Sequence, residues 1–332
     1  YMAHLKLAII GNGSWGTALA KLFLNNSDHI HWFMRKQEDV DFMKTYSNNP
    51  RYISSVEFDT SKITFYTDIK ACIKDSEFIV LAVPSAFIAD TLSSLSKEDF
   101  KGKTFFSAIK GIVPQHNLIV GEYLNQIYEV PFTNIGVITG PCHAEEVALE
   151  KLSYLTIASQ NSQSAQKIKD LLICRYLKAI TSDDIYGTEY AAVLKNVIAV
   201  AGGICHALGY GDNYLAVLVS NAIQEIKRFV DAVHPIDRDI KASAYLGDLM
   251  VTAYSQFSRN RMFGTMLGKG YSVKQAQLEM NMIAEGYYAV KCVYEINKQY
   301  NVDMPITNAV YRIIYQKQDP KREIENLSNL LS

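Results

Sequence analysis

Apolar positions in the first half of the chain fall into short runs of strand length separated by stretches with helical spacing. The first run, residues 7–10 (LAII), leads through a glycine-rich turn into a helical pattern over 17–24. Further strand-type runs follow at 29–33, 78–83, 104–109, 135–138 and 154–158, most of them followed by a helical pattern. Strands alternating with helices predict a mostly parallel, doubly wound sheet. From residue 189 onward the spacing is helical and no strand is predicted, with a local break expected at 202–211. The pattern therefore predicts an α/β N-terminal domain over 1–187 followed by an all-helical domain over 188–332.

The turn after the first run is Gly11-Asn12-Gly13-Ser14-Trp15-Gly16. Strand, GxGxxG and helix in that order read as the dinucleotide fingerprint of a Rossmann-like domain. Its glycines permit the tight turn, the approach of backbone to a pyrophosphate and close packing of helix on strand. Methyltransferases carry similar loops, so context matters. An enzyme that uses NAD usually places an acid at the end of the second strand, on the ribose hydroxyls. This chain offers Arg35 and Lys36 there, with Glu38 the nearest acid. Two cations suit a 2′-phosphate, so NADPH (NADP) is favoured and NADH (NAD) is possible; the bland alternative is a solvated turn.

The run 191–203 (AAVLKNVIAVAGG) places Lys195 and Asn196 inside an otherwise apolar helix-forming stretch. Burying an ammonium is costly unless it is paired, and burial lowers its pKa toward the range useful in proton transfer. Snorkelling out of a core helix is the competing reading. A ketone accepting hydride develops charge on oxygen, which such a lysine can stabilise and protonate, with Asn196 adding a neutral donor. Lys110 stands at the end of the fourth strand, facing a phosphate or carbonyl, or else solvent. Asp248, in Leu246-Gly247-Asp248-Leu249, either pairs with the lysine or caps a helix. Ser258-Arg259-Asn260-Arg261 gathers donors as an anionic phosphate requires, unless it is an exposed helix start. Residues 140–146 (GPCHAEE) open a helix with acids in its first turn, and Glu285 precedes another helix as ribose acceptor or cap.

Composition removes several classes. Net charge is −1, leaving no basic field for nucleic acid. Five scattered cysteines without a CxxC pair argue against a disulfide framework and a zinc site, and no metal is expected. No apolar run is expected to approach the length of a membrane span, and the N-terminus lacks the basic-then-apolar layout of a signal peptide, so a cytoplasmic protein without membrane insertion is expected. The apolar content of the helical half suggests a homodimer.

Taken together, residues 11–20 (GNGSWGTALA), 110–112 (KGI), 140–148 (GPCHAEEVA), 194–213 (LKNVIAVAGGICHALGYGDN), 247–249 (GDL), 258–264 (SRNRMFG) and 284–286 (AEG) resemble bacterial-type NAD(P)H-dependent glycerol-3-phosphate dehydrogenases. The resemblance runs from about residue 5 to 311. It implies reversible reduction of dihydroxyacetone phosphate, a phosphorylated triose, to sn-glycerol 3-phosphate, the backbone of phospholipids. It implies that Lys195 is the proton donor or acceptor, and that Lys110, Gly140, Cys142, Asp248, Ser258, Arg259 and Asn260 contact substrate. It further implies that Ser14, Trp15, Arg35, Lys36, Lys110, Ala144, Arg259, Ile283 and Glu285 contact the cofactor. Cys142 departs from the Ser or Thr usual in the family, and 252–255 (TAYS) also departs from the common pattern. A related hydroxy-acid dehydrogenase and a non-catalytic dinucleotide sensor are the other readings. The Ser258–Asn260 cluster speaks against the first, and Lys195 with Asp248 against the second.

Overall fold

The computed structural model describes residues 5–255, 258–280 and 284–332. The chain divides into two compact units, one comprising residues up to 109 together with 120–185, the other 110–119 together with 186–332.

The first unit is built on an eight-stranded sheet. Its strands are β1 (Leu7–Ile10), β2 (Ile30–Phe33), β3 (Ile63–Tyr66), β4 (Phe78–Leu81) and β5 (Thr104–Ser107). Two short strands of the second unit come next, β6 (Ile112–Val113) and β7 (Leu118–Ile119), before β8 (Ile135–Thr139), β9 (Ser153–Ser159) and β10 (Leu177–Ser182) complete the sheet. The order is β10-β9-β8-β5-β4-β1-β2-β3. All neighbours are parallel except β8 and β9, which pair antiparallel with Thr139 opposite Thr156. The doubly wound, mostly parallel reading is thus met. Every residue of β1 and β4 is buried, as expected of central parallel strands covered on both faces. The sequence pattern misses β3 and β10. Both are edge strands, and β10 begins with one buried and one exposed residue in alternation, so neither shows the continuous apolar run by which the inner strands are recognised.

Among its described residues, the second unit is helical apart from the β6–β7 hairpin. Ile112 and Ile119 of that hairpin are fully buried in the same apolar cluster as Leu194, Val197 and Phe263, which explains why residues 110–119 belong with the helices. The central element is the helix Ile185–Ala207, in which every residue from 187 to 205 is buried. Contrary to the sequence expectation, this helix is long and apolar enough to cross a membrane by length and composition; 89% of its most apolar window is buried within the protein. Also contrary to expectation, Gly202 and Gly203 do not break it. The interruption is confined to residues 208–211, before the helix Asp212–Val233.

The reason is close backbone packing. A Cβ at Gly203 would lie 2.0 Å from the Arg261 carbonyl oxygen, and one at Gly264 would lie 2.0 Å from that of Val200. Two helices touch backbone to backbone through this reciprocal pair. Neither obstruction is a flexible side-chain end, so a methyl group can enter only by moving a helix. Gly264→Ala is therefore expected to destabilise the helical unit by about 1–3 kcal/mol, the usual cost of overpacking. Urea unfolding followed by far-UV circular dichroism measures this, and an unchanged midpoint would contradict the packing argument.

Candidate functional site

Chemistry-bearing side chains collect in each unit. In the first, the fingerprint loop joins β1 to the helix Ser14–Phe23. Gly11 has φ +114°, and a Cβ on it would meet the Ala82 carbonyl oxygen at 2.7 Å. A Cβ at Gly16 would meet the Gly11 carbonyl oxygen at 2.4 Å, so the helix can sit this close to the strand only without a side chain there. Gly13 differs: a Cβ on it would find nothing within 4 Å. The protein's own packing does not require that glycine, and the open space beside it fits the close approach of a pyrophosphate to backbone. Gly13 is also the N-cap and contributes no capping side chain, so the helix start is not blocked by one. The Trp32 indole N–H donates to the Gly11 carbonyl oxygen at 2.9 Å and fixes the loop against β2.

At the end of β2, Arg35 is exposed and Lys36 is the N-cap of the helix Gln37–Tyr46. Sequence reasoning missed the rest of this corner. Arg51 donates from Nε to Asp39 at 3.1 Å and from Nη2 to Glu38 at 2.5 Å, while Lys36 reaches Glu38 at 3.2 Å. The Asn12 side chain donates to Asp39 at 3.0 Å, and Asn49 donates to the Asn12 carbonyl and to the Thr17 hydroxyl. A loop more than thirty residues downstream is therefore tied directly to the glycine turn. No local pattern announces it; the only signal was polar residues, Asn49 and Arg51, on either side of a proline.

After β8, Gly140 has φ +137°, and a Cβ would meet the Tyr154 carbonyl oxygen at 2.7 Å. The Cys142 Sγ–H donates to that same oxygen at 3.0 Å and its N–H to the Gly140 oxygen at 2.8 Å. Ala144 begins the short helix Ala144–Ala148.

In the second unit the Lys195 side chain lies buried within the apolar cluster, and its Nζ donates to Asp248 Oδ1 at 2.5 Å. Lys110 Nζ stands 3.7 Å from that same oxygen. Burial pushes the Lys195 ammonium down to about 7; Asp248 opposes the shift and Lys110 adds to it. Asp248 is the first residue of the helix Asp248–Tyr254, where a π-helical turn, Ser243–Gly247, joins it. Its Oδ2 is buried and has no hydrogen-bond partner among the described residues. A buried carboxylate oxygen left open costs stability unless something donates to it.

The asparagines form a chain. Asn196 Nδ2 donates to the Lys110 carbonyl oxygen at 2.6 Å, Asn260 Nδ2 to Asn196 Oδ1 at 3.0 Å, and the Gly286 N–H to Asn260 Oδ1 at 2.8 Å. Asn196, expected to offer a neutral donor, uses its side-chain amide to hold the backbone at Lys110. Ser258 caps the helix Arg259–Gly268, its Oγ accepting from the Arg261 N–H, and Arg259 is that helix's first residue. Glu285 likewise opens the helix Glu285–Tyr300. Ile283 lies outside the described residues.

The first unit thus carries a glycine turn suited to a pyrophosphate, and the second carries a buried lysine paired with a carboxylate that has one open oxygen. Two family models describe the chain: the NAD-dependent glycerol-3-phosphate dehydrogenase N-terminus matches residues 6–165 and the C-terminus matches 184–325. The chain belongs to this family. It is 34% identical over 322 residues to a glycerol-3-phosphate dehydrogenase [NAD(P)+] of Clostridium botulinum, covering 97% of this chain and 96% of the relative. Identity to the Staphylococcus aureus enzyme of the same name is also 34%, over 323 residues and 97% of both chains. Among solved structures, glycerol-3-phosphate dehydrogenase from Coxiella burnetii superposes with a TM-score of 0.89 at 29% identity, covering 97% of this chain and 98% of that one.

In this member of the glycerol-3-phosphate dehydrogenase family, the asparagine chain makes a stability prediction. Asn260→Leu leaves the buried Gly286 N–H and Asn196 Oδ1 without partners, at about 1–3 kcal/mol for each lost buried bond. Thermal unfolding is expected to move down by several degrees.

Proposed function

We propose that this protein catalyses the reversible NAD(P)H-dependent reduction of dihydroxyacetone phosphate to sn-glycerol 3-phosphate, the precursor of the glycerophospholipid backbone. The observation that carries the proposal is Lys195, buried, paired with Asp248 and depressed to about 7. A bound reduced nicotinamide supplies hydride to the ketone carbon. Lys195 supplies what the oxygen needs: an ammonium that stabilises the developing alkoxide and then donates its proton. In the reverse direction the neutral amine takes the proton from the alcohol. A pKa close to neutral makes both forms available, as a reversible reaction requires.

The remaining residues divide the binding. Asp248 keeps Lys195 in position through Oδ1 and offers Oδ2 to a substrate hydroxyl. Lys110 adds positive charge next to the reacting oxygen. Ser258, Arg259 and Asn260 hold the phosphate at a helix start, where the helix dipole also favours an anion. Gly140 and Cys142 meet the substrate through the backbone, since the Cys142 thiol already donates to Tyr154. The cofactor takes Gly11, Gly13, Ser14, Trp15 and Gly16 at its pyrophosphate, and Arg35 and Lys36 at the adenosine ribose. It meets Ala144, Lys110, Arg259, Ile283 and Glu285 elsewhere along its length. Residues up to 109 together with 120–185 serve as the dinucleotide-binding domain, and 110–119 together with 186–332 as the substrate domain, a division that moves 110–119 and 186–187 out of the 1–187 span expected from the sequence. The protein works as a cytoplasmic homodimer. A hydroxy-acid dehydrogenase is disfavoured because its substrate has no phosphate for the Ser258–Asn260 cluster. A non-catalytic dinucleotide sensor gives no account of a lysine buried at such cost.

Two measurements test the assignment. Lys195→Ala is expected to lower turnover by about 10²–10⁴-fold, the usual contribution of a positioned acid, with NADPH affinity near that of the unaltered protein. Near-normal turnover would remove Lys195 from the chemistry. The pH profile has a definite sign. Reduction needs the charged amine, so its rate is expected to fall as pH rises through about 7. Oxidation of glycerol 3-phosphate needs the neutral amine and is expected to rise over the same interval. Parallel profiles in the two directions would contradict this role.

A further inference from the structure

The corner beyond β2 holds more charge than the Arg35–Lys36 pair. Glu38 accepts from both Lys36 and Arg51 through one oxygen, Oε1. Asp39 grips the same guanidinium, with Nε and Nη2 each 3.1 Å from its Oδ1. The two carboxylates differ in freedom. The Asp39 side chain is 7% exposed and is held by Asn12 of the glycine turn, whereas that of Glu38 is 66% exposed. Asp39 is thus a buried anchor for Arg51, and Glu38 is an exposed partner of the same guanidinium. Neither carboxylate engages Arg51 Nη1. Lys36, followed by Arg51, holds the Glu38 carboxyl below the usual range, as expected for an anion seated between two cations.

This cation pair stands next to the fingerprint loop, at the strand end where the adenosine ribose of a dinucleotide lies in such folds. A 2′-phosphate is a stronger anion than a carboxylate and presents three acceptor oxygens to the same donors. An unphosphorylated ribose presents hydroxyls, which a carboxylate accepts.

Resting on the dinucleotide reading above, we propose that Glu38 is an internal counter-ion that sets cofactor preference. It occupies the Lys36–Arg51 seat and meets the ribose when NADH is bound, and gives up that seat when a 2′-phosphate enters. Arg51, carried by a distant loop and oriented by Asp39, is a guanidinium of the phosphate seat. Dual use of NADH and NADPH then follows from one exposed carboxylate with two alternative roles.

Equilibrium titration of the full-length protein tests this without turnover. NADH and NADPH are the probes, with 5′-ADP and 2′,5′-ADP as fragments differing only in the 2′-phosphate. Glu38→Gln removes a charge that competes with the phosphate. It is expected to tighten NADPH and 2′,5′-ADP by about three- to tenfold, with NADH unchanged or weaker. Arg51→Gln is expected to weaken the two phosphorylated ligands by about ten- to hundredfold while NADH and 5′-ADP stay within about threefold. An unchanged NADPH-to-NADH affinity ratio in Glu38→Gln overturns the proposal. Equal weakening of all four ligands in Arg51→Gln overturns the role of Arg51 and makes it a loop anchor only. Glu38 is exposed, so its variant decides the matter even if Arg51→Gln does not fold. Failure of the unaltered protein to bind either cofactor would overturn the dinucleotide reading itself, whereas binding of both with no shift in Glu38→Gln overturns only the counter-ion.

Discussion

The ion pair between Lys195 and Asp248 is the constraint around which the helical unit is arranged. An isolated ammonium within an apolar core costs several kcal/mol, and losing one partner of such a pair leaves the other charge uncompensated. The pair is kept although packed apolar side chains would serve stability as well. Asp248 contributes one oxygen to Lys195 and, more distantly, to Lys110, while its second oxygen remains open in a buried position. A purely structural ion pair would close that second oxygen. The arrangement therefore leaves one buried acceptor unfilled.

Holding those groups requires backbone precision, and the unit obtains it from residues with little side chain. Gly203 and Gly264 let two helices meet at backbone distance, and Gly286 approaches the Asn196 carbonyl so closely that a Cβ would lie 2.7 Å from it. The asparagine chain then links Lys110, Asn196, Asn260 and Gly286 by hydrogen bonds of 2.6–3.0 Å. Glycines set the distances and asparagines set the register. Charged residues can be placed accurately because uncharged ones have fixed the backbone first.

These principles also explain which parts could be read from the chain. The fingerprint loop was legible because its chemistry is local: a strand, three glycines and a helix within a dozen residues. Lys195 and Asp248 were legible as a pair because each is a charge in an apolar setting, even at a separation of fifty-three positions. The edge strands β3 and β10 were not, since half-exposed strands lack a continuous apolar run. Nor was the attachment of 110–119 to the helical unit, which depends on where Ile112 and Ile119 find cover. The bond from Asn196 to the Lys110 carbonyl was hidden for a related reason: sequence does not say which carbonyl lies beside an amide. Arg51 was invisible because its partners, Glu38 and Asp39, belong to another segment, and no local pattern announces that the two meet.

The helix Ile185–Ala207 links composition to reactivity most directly. Its uninterrupted apolarity satisfies the length and composition test for a membrane span, yet its surface is covered by the protein's own side chains. That same coverage removes water from Lys195 and lowers its proton affinity. A more amphipathic helix would let the amine reach solvent and recover its ordinary pKa, far above the range in which one group can both give and take a proton near neutrality. The apolar character of the helix therefore sets the proton affinity of its lysine, because the pKa falls only where neighbours exclude water.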